Sequence, residues 1–141
     1  MSIRTLIIDD DWEIRDILTE YLSDESFTIW EAQTPEEAFK LLENEEVDLI
    51  ISDLVLPFTL SRDFFNYPYS SEVGVRTIQE LGWVYPELPI IAISAAPKSE
   101  IIKARERLGD IPVLQKPFSR ELLLETITYV MSFNYSEIVM Q

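Results

Sequence analysis

The side chains able to do chemistry in this chain sit where apolar runs end. Asp9, Asp10 and Asp11 follow TLII at 5–8, and Asp53 comes after VDLII at 47–51. Ser94 closes PIIAIS at 89–94, and Lys116 follows PVLQ at 112–115. If Asp9, Asp10 and Asp53 converge, each pair of charges roughly 4 Å apart repels by about 4 kcal/mol at an effective dielectric near 20. Such a cluster must take up a cation or protonate. Mg²⁺ suits it, being a hard ion that prefers carboxylate, carbonyl and water oxygens. Lys116 supplies a positive charge opposite. Beside a metal, the Asp53 carboxylate becomes a nucleophile toward phosphorus. Lys116 would neutralise phosphoryl oxygens and Ser94 would donate a hydrogen bond to one of them.

Composition removes the main competitors. The chain has no cysteine and no histidine, which excludes disulfides, thiolate metal sites, a Ser–His–Asp triad and a typical zinc centre. Its 26 acidic against 11 basic residues give a formal charge of −15. That surface repels phosphate backbones and anionic lipid, so neither nucleic acid nor membrane is an expected partner. The N-terminus lacks a signal-peptide pattern and no apolar stretch reaches spanning length, so the reading is cytoplasmic. The length of 141 residues suits one domain with a real core.

The elements that must position these residues alternate strictly. Strand-like runs at 5–8, 27–30, 47–51, 89–94 and 112–115 are separated by helical patterns. The first helix spans 12–22, with Ile14, Ile17, Leu18, Tyr21 and Leu22 at helical spacing. Thr34, Pro35 and Glu37 form a start signal for the second, which buries Ala38, Leu41 and Leu42. A third begins near Gly74, a fourth spans 98–108 before Gly109, and Ser119 caps the last. Trp12, Trp30 and Trp83 are core or boundary candidates, and Lys98, Lys103, Arg105 and Arg107 read as a solvated face. Five strand–helix units imply an α/β fold with a parallel sheet covered on both sides, whose ligand site lies beyond the carboxyl ends of the strands.

In the order IIDDD (7–11), ISDLVLP (51–57), IAISA (91–95) and LQKPF (114–118), the chain resembles the receiver domains of two-component response regulators over about residues 3–132. The resemblance implies a doubly wound, flavodoxin-like (βα)5 fold with strand order 2-1-3-4-5, residues 133–141 being a short extension of the last helix or a tail. It makes Asp53 the phosphoacceptor, Asp10 a direct metal ligand and Asp9 an acidic neighbour that binds metal through water. Val55 would offer its backbone carbonyl to Mg²⁺, Ser94 is the hydroxyl switch residue, and Lys116 is the family lysine, with a cis bond before Pro117. The implied partners are a sensor histidine kinase or phosphotransfer protein and an unidentified downstream protein target. The resemblance allows either a monomer or a homodimer through the helix 4–strand 5–helix 5 side. The expected product is a stand-alone phosphorylation switch, similar to chemotaxis regulators, rather than an enzyme.

Three features depart from the family pattern. Sixteen residues, 58–73, separate Pro57 from Gly74, five of them aromatic (Phe58, Phe64, Phe65, Tyr67 and Tyr69), giving an enlarged loop beside Asp53. Val113 stands where an aromatic switch residue is frequent, and Val55 and Ala96 where polar residues tune hydrolysis. A Mg²⁺-dependent phosphatase with an Asp nucleophile is the rival from another class, but it needs a second acid where Val55 stands. A partner-binding receiver that is never phosphorylated is the remaining alternative.

Overall fold

A computed structural model describes residues 2–24, 26–54 and 72–140, the side chains of Glu72 and of 133–140 excepted. The elements run β1 (Ile3–Ile8), α1 (Trp12–Tyr21), β2 (Phe27–Ala32), α2 (Pro35–Asn44), β3 (Leu49–Asp53), α3 (Glu72–Val84), β4 (Ile90–Ser94), α4 (Lys98–Leu108), β5 (Val113–Gln115) and α5 (Arg120–Met140). The strands form one sheet in the order β2-β1-β3-β4-β5, every neighbouring pair parallel.

Strand side chains alternate across a sheet, and here both faces of the central strands are covered, which is why β3, β4 and the end of β1 read as largely apolar runs. Leu6, Ile8, Ile50, Ile90 and Ala92 pack with residues of α2, α3 and α4, among them Ala38, Ile78, Leu81 and Ile101. Ile7, Leu49, Ile51, Ile91 and Ile93 pack on the opposite face with Leu18 of α1 and Leu123, Ile127 and Val130 of α5.

Local signals act at the ends of the elements. Asp11 is the N-cap of α1, its carboxylate accepting from the Glu13 amide at 2.9 Å. The Thr34 hydroxyl accepts from the Glu37 amide at 3.2 Å, and the Glu37 carboxylate accepts from the Gln33 amide at 2.7 Å. Ser119 caps α5 by accepting from the Leu122 amide at 3.0 Å. Gly109 ends α4 at φ 63°, a conformation that side chains with a Cβ disfavour.

Some boundaries differ from expectation. β2 continues to Ala32 because its whole length pairs with β1, Ile8 lying opposite Ala32. β3 starts at Leu49 because Asp48 is drawn to Arg4, whose amide and Nε both donate to its carboxylate at 2.9 Å. Trp12 and Trp83 are not core residues, being 65% and 87% exposed. Val75, Ile78 and Leu81 define the buried stripe of α3, and Trp83, two residues past Leu81, falls on the far side of the helix. Trp30 packs against the core in part.

α3 comes very close to the end of β3: a Cβ built on Gly74 would fall on the Leu54 backbone, whereas one on Gly82 meets nothing within 4 Å. Gly74→Ala is therefore expected to lower unfolding free energy by about 1–3 kcal/mol. Gly82→Ala is expected to raise it by about 0.5–1 kcal/mol through helix propensity. Urea denaturation of the two variants checks both signs.

Candidate functional site

Parallel register carries the polar residues to one edge. Ile8 lies opposite Ser52, Asp53 opposite Ile93 and Ser94 opposite Gln115, so Asp9, Asp53, Ser94 and Lys116 all emerge at the carboxyl ends of the strands. The structure brings Asp9, Asp10, Asp53 and Lys116 into one group. Lys116 Nζ donates to Asp9 Oδ2 at 3.0 Å and to Asp53 Oδ2 at 3.3 Å. The three aspartates each present a carboxylate oxygen, and these oxygens lie within 4.8 Å of one another.

Burial gives those contacts their weight. Asp9 is fully buried and Asp53 only 5% exposed, while Asp10 reaches solvent. Asp9 is tightly fixed: its amide donates to the Ala32 carbonyl at 3.0 Å, and its Oδ1 accepts from the Asp11 amide at 2.9 Å. Burial alone would push the Lys116 ammonium down, but the charges of Asp53 and Asp9 outweigh it and hold the pKa above the ordinary lysine value. Burial, then the charge of Asp9, push the Asp10 carboxyl above the usual carboxylate range. Three carboxylates against one ammonium leave an excess of two negative charges. All-oxygen donors with that excess fit a hard divalent cation such as Mg²⁺, so the residues present can accept the ion that the chemistry calls for.

Ser94 is fully buried at the end of β4. Its Oγ accepts from the Ala96 amide at 3.0 Å, and its carbonyl accepts from the Lys116 amide at 2.7 Å. The bond between Lys116 and Pro117 is cis, as expected. Val55 lies outside the described residues, and so does the expected loop except for Glu72 and Val73, which belong to α3. Val113 and Ala96 are both buried and belong to the same core cluster.

Sequence reading missed several supports. Arg15 reaches back from α1, its Nη1 donating to the Asp9 carbonyl at 2.8 Å and its Nε to Glu31 Oε1 at 3.0 Å. The Tyr21 hydroxyl donates to the Phe118 carbonyl at 3.1 Å, and Arg120 Nε donates to the Tyr21 carbonyl at 2.9 Å, tying α1 to the turn that carries Lys116. Only the helical position of Arg15, facing back toward the strand end, offered a signal.

Residues 5–128 match the response regulator receiver domain family. The regulatory protein VanR of Enterococcus faecium is 37% identical over 84 residues, covering 55% of this chain and 36% of VanR. A probable C4-dicarboxylate response regulator, DctR, of Bacillus subtilis is 25% identical over 126 residues, covering 88% of this chain and 50% of DctR. The chain thus spans half or less of the length of these curated relatives. Among solved structures, a CheY-like response regulator receiver domain protein from Methanospirillum hungatei superposes with a TM-score of 0.78 at 23% identity, covering 97% of this chain and 99% of that one. The signal receiver domain of an HD domain-containing protein from Pseudomonas fluorescens gives 0.79 at 24% identity, with 96% and 99% covered. These two show a shared fold.

The raised Asp10 pKa has a consequence for stability. The folded state favours protonated Asp10, so its favourable contribution is complete below the ordinary carboxylate value and is lost as pH rises through the raised one. At neutral pH without metal, ionised Asp10 opposes folding. Asp10→Asn is expected to raise the metal-free melting temperature, by about 1–3 °C because Asp10 is solvated. The gain should vanish in acid, where wild-type Asp10 is protonated. Thermal scans at neutral and acidic pH in a chelator check this.

Proposed function

The chain belongs to the response regulator receiver domain family, and from that premise we propose that Asp53 accepts a phosphoryl group in a Mg²⁺-dependent reaction and thereby switches protein–protein interactions. The observation that carries this reading is the Lys116 ammonium set between buried Asp9 and Asp53, with Asp10 beside them. Receiver domains are in general phosphoacceptor switches rather than enzymes that turn over a substrate.

In the proposed transfer an Asp53 oxygen attacks the phosphorus of a phosphohistidine on a sensor kinase or phosphotransfer protein. The new O–P bond forms as the P–N bond breaks, and the electron pair leaves with the imidazole. Lys116 already contacts Asp53 and would pair with a phosphoryl oxygen as charge shifts onto it. Asp9 and Asp10, with Asp53 and the Val55 carbonyl, would hold Mg²⁺, which supplies positive charge facing the phosphoryl oxygens. The product carries about −1.5 to −2 charges and strong acceptors. The Ser94 hydroxyl can turn toward them, giving up the bond it now accepts from the Ala96 amide. That exchange would move the loop from Ala95 to Pro97 at the start of α4.

The α4–β5–α5 side is the proposed surface for the downstream protein or a second copy, since Ile102, Leu122 and Tyr129 are exposed there. No described helix is long and apolar enough to cross a membrane, and with a charge of −15 the proposed setting is the cytoplasm, without direct nucleic-acid or membrane binding. Residues 1–132 are the proposed receiver unit.

Incubation with Mg²⁺ and a small acyl phosphate, followed by intact mass measurement, should give one phosphoryl adduct per chain in wild type and none in Asp53→Asn. Continuous release of phosphate would support a phosphatase instead, and no adduct would support a receiver that works unphosphorylated. Ala96 positions no attacking water, so the adduct is expected to outlast many minutes after donor removal; loss within seconds contradicts that.

A further inference from the structure

We propose that Arg15 is a positioning residue for the metal site, holding the Asp9–Asp10 peptide so that the Asp10 carboxylate stays beside Asp53. The inference rests on the Mg²⁺ reading above and names a residue which that reading does not use.

Asp10 needs such a restraint. It reaches solvent, and a carboxylate oxygen of Asp10 lies within 4.8 Å of those of Asp9 and Asp53, like charges that repel it from the cluster. A free carboxylate in that position would turn out toward water. The peptide preceding it is planar, so fixing the Asp9 carbonyl fixes the plane and the N–Cα bond from which the Asp10 side chain departs. The Asp9 amide is already bonded to Ala32, and its two carboxylate oxygens accept from Asp11 and Lys116. The carbonyl is the remaining polar handle on Asp9, and Arg15 Nη1 donates to it at 2.8 Å.

Arg15 is itself held in place. Its side chain is only 12% exposed, and its Nε donates to Glu31 on β2 at 3.0 Å. Glu31 lies opposite Ile7 in the β1–β2 ladder, so one planar guanidinium ties β2 to the turn after β1 that carries the acids. The fork geometry of arginine allows both bonds at once, which a lysine ammonium on a flexible stem reproduces poorly.

Charge and positioning predict opposite signs. Arg15 is a cation near a site meant for a cation, so on electrostatic grounds its removal should tighten Mg²⁺ binding. If Arg15 positions Asp10, removal should weaken binding despite the relief of repulsion, on the scale of outer-shell effects on metal affinity.

The test is a Mg²⁺ titration of the full chain followed by tryptophan fluorescence, Trp12 lying two residues after Asp10, with melting temperatures measured in chelator and in Mg²⁺. Arg15→Met is expected to raise the Mg²⁺ dissociation constant about tenfold, and Arg15→Lys is expected to recover part of that loss. Should Arg15→Met fail to fold, Arg15→Gln, which keeps one donor, takes its place with the same expectation. Unchanged or tighter binding in a folded variant overturns the role of Arg15 alone. A wild type that shows no Mg²⁺ response in fluorescence or melting temperature overturns the metal reading and this inference together.

Discussion

Two buried carboxylates from neighbouring strands share one ammonium. Lys116 bridges Asp9 and Asp53, and each of the three would be costly to bury alone. The bridge closes only if β1, β3 and β5 end at the same edge, which the 2-1-3-4-5 order and parallel register ensure. It also needs the turn after β5 to aim Lys116 inward. The Ser94 carbonyl accepts the Lys116 amide, and Tyr21 and Arg120 fasten the following turn to α1. Much of the polar bonding at this end of the sheet serves to hold one side chain.

The site works against the stability of the domain that holds it. Its carboxylates outnumber its ammonium, and Asp10 is pushed toward protonation by the same burial and by Asp9. Two apolar layers, one on each face of the sheet, offset that cost. The layers are fitted closely enough that α3 touches the backbone just after Asp53, where only a glycine fits. An edge with surplus negative charge is poised to gain from a divalent ion. In the proposed switch a phosphoryl group on Asp53 would add to that negative charge, and the ion, Lys116 and the Ser94 hydroxyl are what would offset it.

Much of this was legible in the residues, for a physical reason. Strands buried on both faces are uniformly apolar, so the polar residues at their ends stand out, and Asp9, Asp53, Ser94 and Lys116 were placed by that contrast. Asp11 looked like its neighbours but serves as a helix cap, a role that depends on where α1 begins. Arg15 and Tyr21 were missed because their work is done by reaching from a helix to main-chain oxygens, and an arginine or tyrosine on an amphipathic helix ordinarily reads as solvated or as core. Trp12 and Trp83 misled for the converse reason: size suggests burial, but helix phase decides it. Strand limits shifted where a side-chain bond competed with the ladder, as Arg4 does at Asp48.

If the acidic cluster is a cation site built around the Lys116 bridge, crystals grown with Mn²⁺, whose anomalous scattering locates the ion, will hold one ion ligated by oxygens of Asp10 and Asp53. Asp9 will lie adjacent, and Lys116 will still face the cluster. An ion found elsewhere, or an ion-free edge with Asp10 turned to solvent and Lys116 withdrawn from Asp53, would contradict it.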